Sequence, residues 1–192
     1  MCAHATIAAA YCVFTALDFP KNQQIRFHVR TKSFNVSYKN GWFILDFPKY
    51  STQQISSNIL LNNILDSYDI KYIGLSNNVI IVEFTHAIDI KLFNPNLALI
   101  KQLPYRAIII TAKDNEYDFV SRYFAPSVGI DEDPVCGSAH CRLFPYWSKI
   151  LHKKSMSAYQ VSNRGGLVKG KVLKNSVLIK GQAVIMERNL YR

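Results

Sequence analysis

A cysteine, a small residue, a polar residue and an alanine head two long helix-forming runs in this chain. They occur at Cys2-Ala3-His4-Ala5-Thr6 and again at Cys136-Gly137-Ser138-Ala139-His140. The first heads a run from His4 to Leu17 that is rich in alanine and apolar nearly all round, which predicts a helix enclosed by protein; Pro20 just beyond it is a stop signal. The second heads a predicted helix over residues 139–151. Two related helix heads in one chain point to two related lobes, each built around one helix.

Between and after these helices the pattern changes to a period of two. Ile25, Phe27 and Val29 alternate with Arg26, His28 and Arg30, and Phe34, Val36 and Tyr38 continue the alternation. Lys39-Asn40-Gly41 is a hairpin signal before a strand at 42–47. Further strands are predicted at 70–74, 78–84, 107–111, 118–124, 157–162, 167–173 and 176–186, with short helices at 55–65 and 97–103. Antiparallel or mixed sheet wrapped around a few helices is the α+β class. A strand run ends and a polar run begins near Pro48, so the remainder of an N-terminal lobe is placed at 1–50 and a C-terminal lobe at 51–192, the last strand being free to return to the first lobe.

Composition narrows the function classes. With 49% hydrophobic and 19% charged residues the chain can bury a core. Its net charge of +10 would suit nucleic acid, but the basic residues stand singly and no nucleic-acid-reading motif is present, so a nucleic-acid partner is not expected. No apolar run reaches the roughly 20 residues needed to span a bilayer, so no membrane partner is expected either. The run from Ile7 to Leu17 lacks the basic flank and cleavage site of a signal peptide. Four cysteines are too sparse for a disulfide framework, which points to reduced thiols and a cytoplasmic setting.

The helix heads are where chemistry is expected. The first N–H groups of a helix lack internal partners and carry the positive end of its dipole, so they attract a carboxylate, and small residues beside them allow close approach. A cysteine at such a position is a candidate thiolate base. The second head follows Asp131-Glu132-Asp133, whose mutual repulsion would raise at least one carboxyl into the range of proton transfer; a solvated acidic turn is the plainer reading.

At these residues the chain resembles the phenazine-biosynthesis-like (PhzF-like) family. Cys2-Ala3-His4-Ala5-Thr6 is similar to its Cys-Gly-His-Ala-Thr segment, and Asp131 to His140 is similar to its Glu-Asp-Pro-Val-Thr-Gly-Ser-Ala-His segment. Leu45-Asp46-Phe47-Pro48, Asp118 to Pro126, Pro145-Tyr146-Trp147, Arg164-Gly165-Gly166 and Gly181-Gln182-Ala183-Val184 extend the resemblance along the whole chain. It implies a diaminopimelate-epimerase-like fold of two pseudo-symmetric lobes, with the active site between them. It implies further a cofactor-independent isomerase that moves a proton on a small carboxylate-bearing substrate, with no metal and no organic cofactor. Homodimerisation is compatible with it.

By the same resemblance His4, Asp133 and Ser138 match the family's active-site residues and Gly137 helps form the anion cradle. Thr6 and Ala139 beside the helix heads, and Gly165 in a strand connection, are the further candidate substrate contacts. The chain departs from the family in three ways. It begins at Met1-Cys2, without the N-terminal segment whose Asn-x-x-Glu-Thr-type motif carries the family's principal proton-transfer Glu, so the first lobe is expected to be incomplete and the first helix bared. Ala3 stands for the usual Gly, and Cys136 for the usual Thr. Cys2 and Cys136 match the two catalytic positions of the related two-cysteine racemases, which makes them a candidate thiol pair. Three readings therefore stand beside the isomerase: an inactive binding or interaction protein of the same lineage, a fragment of a longer chain, and a two-cysteine racemase.

Overall fold

The computed structural model describes residues 3–29 and 32–184. One sheet of eleven strands runs through them, in the spatial order β1-β2-β3-β11-β10-β9-β8-β7-β6-β5-β4. In chain order the strands are β1 Ile25–Val29, β2 Lys32–Lys39, β3 Trp42–Pro48, β4 Gln53–Gln54, β5 Ile70–Ser76, β6 Val79–Phe84, β7 Ala107–Lys113, β8 Phe119–Phe124, β9 Ser155–Gln160, β10 Gly166–Val172 and β11 Ser176–Gly181. The helices are α1 Ala3–Ala16, α2 Ile59–Leu65, α3 Ala87–Leu92, α4 Leu97–Gln102 and α5 Gly137–Leu151. The architecture is the α+β class expected.

Local chemistry explains the hairpins. Asn40 and Gly41 both take positive φ, 51° and 80°, as a primed turn between β2 and β3 requires. Asn77 and Asn78, at φ 46° and 62°, do the same between β5 and β6, asparagine being among the side chains that tolerate this region.

Most neighbouring strands are antiparallel, but β6 pairs β7 in parallel and β8 pairs β9 in parallel. A parallel pair needs a crossover between its strands. The first crossover carries α3 and α4, the second carries α5, and the two lie on opposite faces of the sheet. Ile90 and Phe93 pack on one face with Ile80, Val82, Ile108 and Ile110, whereas Leu143, Phe144 and Trp147 pack on the other with Val79, Ile81 and Ile109. The middle of the sheet is therefore covered on both sides, and β6 and β7 read as unbroken apolar runs for that reason.

The same apolar cluster that holds α5 also holds the stripe Ile7, Ala10 and Phe14 of α1, with Phe34, Val36, Phe43, Leu45 and Phe47 of the β2–β3 hairpin. The last strand lies between β3 and β10, with Val177 opposite Phe47 and Ile179 opposite Leu45. The expectation that α1 is enclosed on all sides is not met. It buries Ala3, Ile7, Ala10 and Phe14, while Ala8, Ala9, Cys12 and Thr15 are exposed. The apolar count of this helix comes largely from alanine, whose single methyl group gives little drive to cover a face.

Pro145 lies inside α5. Having no N–H, it leaves the carbonyl of Cys141 without a helical donor. The backbone N–H of Tyr50 donates to that carbonyl at 3.2 Å, which ties the segment after β3 to the middle of α5. Deeper in the core, the Trp147 indole N–H donates to Thr111 Oγ1 at 3.0 Å and the Thr111 hydroxyl donates to the Val120 carbonyl at 2.7 Å, so this helix is also pinned to β7 and β8.

Candidate active site

The heads of α1 and α5 meet. A Cβ built on Gly137 would lie 2.3 Å from the Cβ of Ala3, so the two helix starts touch through the one position that has no side chain. Beside this contact opens a cavity of about 530 Å³ lined by His4, Asp133, Cys136, Gly137 and Ser138 from the two predicted segments, together with residues from elsewhere.

The loop before α5 is held by a set of hydrogen bonds, those of Gln160 being buried. The N–H of Asp133 donates to the Tyr123 carbonyl at 3.0 Å, and Asp133 Oδ1 accepts from the N–H of Val135 at 3.1 Å. The side chain of the fully buried Gln160 bridges the same loop. Its Oε1 accepts from the N–H of Cys136 at 2.8 Å, and its Nε2 donates to the Asp133 carbonyl. Ser162 Oγ donates to the Pro134 carbonyl at 2.7 Å and accepts from the N–H of Gly165 at 3.0 Å. These bonds leave the Asp133 side chain 8% exposed at the wall of the cavity, and no side chain caps the start of α5. An uncapped helix start facing a cavity is suited to an anion.

The acidic triplet separates into three surroundings. Asp131 is exposed. Glu132 forms a two-pronged pair with Arg122, at 2.7 and 2.9 Å, and Arg122 also donates to the Phe93 carbonyl at 2.6 Å. Asp133 alone lines the cavity. The expectation of three mutually repelling carboxylates is thus corrected: an arginine from β8 takes the middle one.

Cys136 Sγ lies 3.2 Å from Ser138 Oγ. Burial, reinforced by the charge of Asp133, pushes its thiol up to about 12, and the neighbouring Ser138 hydroxyl and Ala139 N–H only partly offset this. The expected lowering by the helix start is therefore outweighed by desolvation, and Cys136 holds its proton at neutral pH. His140 is fully buried with Nδ1 2.8 Å from the Cys136 carbonyl. That contact assigns the ring proton to Nδ1, because a carbonyl only accepts. Burial, partly offset by that hydrogen bond, lowers its pKa to about 4, so the ring is neutral and props the loop.

Among the other predicted contacts, Ala139 is buried in the core behind the cavity, and neither Thr6 nor Gly165 is part of the lining. Gly165 sits at φ 68° between β9 and β10. Cys2 lies outside the described residues. No three His, Cys, Asp or Glu side chains among the described residues gather as a metal site. The structure adds Tyr50, Asn77, Arg106, Tyr123 and Arg142 to the wall. Arg142 had a signal in the sequence: it follows Ser138 by four residues and so shares its helix face.

A mixed sheet with two helix heads that meet at a cavity is an α+β architecture with its candidate site at those heads. Residues 1–189 match the family described as phenazine biosynthesis-like protein (PhzC-PhzF), and the chain belongs to that family. It is 39% identical over 193 residues to an uncharacterised isomerase of Halalkalibacterium halodurans, covering 98% of this chain and 72% of that protein. Among solved structures, a putative phenazine biosynthesis PhzC/PhzF protein from Clostridium difficile superposes with a TM-score of 0.92 at 34% identity, over 100% of this chain and 73% of that one. A PhzF-family protein from Enterococcus faecalis gives 0.91 at 33% identity, over 97% of this chain and 71% of that one.

Proposed function

We propose that this chain is, or forms most of, an isomerase that moves a proton on a small carboxylate-bearing substrate without a cofactor. The observation that carries this reading is the placement of Asp133. A mostly buried carboxylate stands at the same cavity wall as the uncapped start of α5, which itself touches the start of α1. Relatives that carry the name isomerase support it.

In this reading the substrate carboxylate sits at the starts of α5 and α1, where the positive dipole ends of the two helices neutralise it. Electron withdrawal from the substrate favours loss of a proton from the adjoining carbon. Asp133 Oδ2, whose partner oxygen is occupied by the Val135 N–H, takes that proton and returns it at a second carbon on the same face. Donors at the helix starts stabilise the negative charge that develops between the two steps. His4, at the opposite head, lines the same cavity. Cys136 is a neutral thiol, so in the thiol/thiolate pair of a two-cysteine racemase it fills only the place of the thiol.

The second reading is a binding protein of the same family without turnover. It draws on the fact that Asp133 is the single carboxylate among the described residues lining the cavity. Incubation in D2O with a panel of small amino and unsaturated carboxylic acids separates the two. The isomerase exchanges a carbon-bound hydrogen of at least one acid for deuterium, whereas the binding protein shifts ligand resonances and exchanges none.

A further inference from the structure

Arg142 is the most buried cation at the cavity, at 6% exposure. Its Nε donates to the Ser76 carbonyl at 3.1 Å and its Nη1 to the Ser138 carbonyl at 2.8 Å, and its guanidinium lies 4.7 Å from the centre of the Tyr50 ring. The ion pairs among the described residues are Arg122 with Glu132 and Lys153 with Asp118, so no carboxylate of these residues lies within ion-pair distance of Arg142. A buried guanidinium satisfied only by neutral groups is costly, because carbonyls and a ring face replace little of the lost hydration. Arg106 stands exposed at the same wall, making two guanidinium groups against the one carboxylate of Asp133.

The position is built. Tyr50 is carried to Arg142 by its N–H bond to the carbonyl that Pro145 leaves free, and Ser76 ends β5 at the Asn77-Asn78 turn. Tyr123, buried, shares the cavity lining with Asp133, Cys136, Arg106 and Arg142. One cavity thus holds Asp133 and the helix heads and, one turn along α5 from Ser138, the guanidinium of Arg142, with Arg106 in the same lining.

We propose that Arg142, supported by Arg106 at the rim, binds a second anionic group of the ligand, so that the substrate is a small dianion with one acid group at the helix heads and the other at Arg142. This rests on the isomerase reading for the first acid group. A guanidinium matches a second carboxylate through paired N–H donors, and in a dry site such charge-assisted bonds are strong.

The test is calorimetric and needs no turnover. Straight-chain dicarboxylates from malonate to adipate are titrated into the full chain, each against the monocarboxylate of equal carbon number. The expected result is a preference of about ten-fold or more for the dicarboxylate at one chain length, weakened by Arg142→Lys, which keeps the charge and loses the paired donors, and abolished by Arg142→Gln. Should Arg142→Gln not fold, Arg106→Gln at the exposed rim replaces it, with a roughly three-fold reduction of the preference expected. Absence of a dicarboxylate preference in the parent chain overturns the proposal, as does a preference unchanged in whichever of these glutamine variants folds. Deuterium exchange by the parent chain separates the two claims: a dicarboxylate preference in a parent chain that exchanges no carbon-bound hydrogen leaves the anion site standing and removes the isomerase.

Discussion

The Cβ of Ala3 occupies the space that a Cβ on Gly137 would need, 2.3 Å away. One methyl group therefore fills the contact between the two helix heads, and the cavity beside it keeps its shape only while the other position stays bare. The methyl of Ala3, which the resemblance marks as a departure from glycine, is accommodated at Gly137 with no space left over.

Gly137→Ala is predicted to lower the stability of the chain by about 1–3 kcal/mol, the usual range for overpacking a tight contact. Adding Ala3→Gly to it should restore most of the loss, since the two methyl groups compete for one space. Urea unfolding midpoints of the two single variants and the double variant form the cycle. Equal stability of Gly137→Ala and the parent would contradict the contact.

His140 predicts how stability depends on pH. Its folded pKa of about 4 lies below its ordinary value of 6.5, so between these values the unfolded chain binds the proton that the folded chain refuses. Stability from this group is complete above pH 6.5 and is lost as pH falls toward 4. The loss is on the order of 3 kcal/mol, at 1.36 kcal/mol for each pH decade. Chemical denaturation at pH 7 and pH 5 should register about 2 kcal/mol of it, the part lost between pH 6.5 and 5, and a His140→Gln variant should have a flatter profile across that window.

Thiol reactivity should separate the cysteines. Cys12 is exposed, whereas Cys136 and Cys141 are buried with thiols pushed up to about 12 by that burial. Iodoacetamide at pH 7.5 is predicted to modify Cys12 in the native protein and Cys136 and Cys141 only after denaturation. Fragment mass spectra distinguish Cys12 from Cys2. Labelling of Cys136 as fast as Cys12 would contradict its place as a buried, protonated thiol.

Arg122 joins β8 to the loop that carries Asp133, through Glu132 and the Phe93 carbonyl. Arg122→Met leaves Glu132 without its counter-charge and is predicted to cost about 3 kcal/mol. The double change Arg122→Met with Glu132→Gln should recover a substantial part of this. Thermal unfolding of both variants checks the coupling.

The parts of this fold legible from the sequence are those with local causes. Asn40-Gly41 announces its hairpin, and the runs of β6 and β7 announce buried strands. The helix expected from residue 55 starts instead after Asn58, whose side chain caps the Leu61 N–H at 2.9 Å, because Gln53 and Gln54 are drawn into pairing with β5. Helix α3, at six residues, is too short for its periodicity to stand out.

The site divides in the same way. His4, Asp133, Cys136, Gly137 and Ser138 are legible because each sits in a short contiguous segment at a helix head. Tyr50, Asn77, Arg106 and Tyr123 are not, since pairings between distant parts of the chain bring them to the wall. The acidic triplet misleads for the same reason: Arg122, ten residues before Glu132, claims the middle carboxylate only after β8 has formed.

The central claim is that Asp133 carries the proton. Its most direct test is the rate of deuterium incorporation into a carbon-bound position of a responding acid, followed by proton NMR in D2O with the parent chain and Asp133→Asn. The variant keeps the size of the side chain and the acceptor that holds the Val135 N–H, so ligand binding should persist while exchange falls by roughly 100-fold or more. Exchange in Asp133→Asn at the parent rate, with binding intact, would contradict the account.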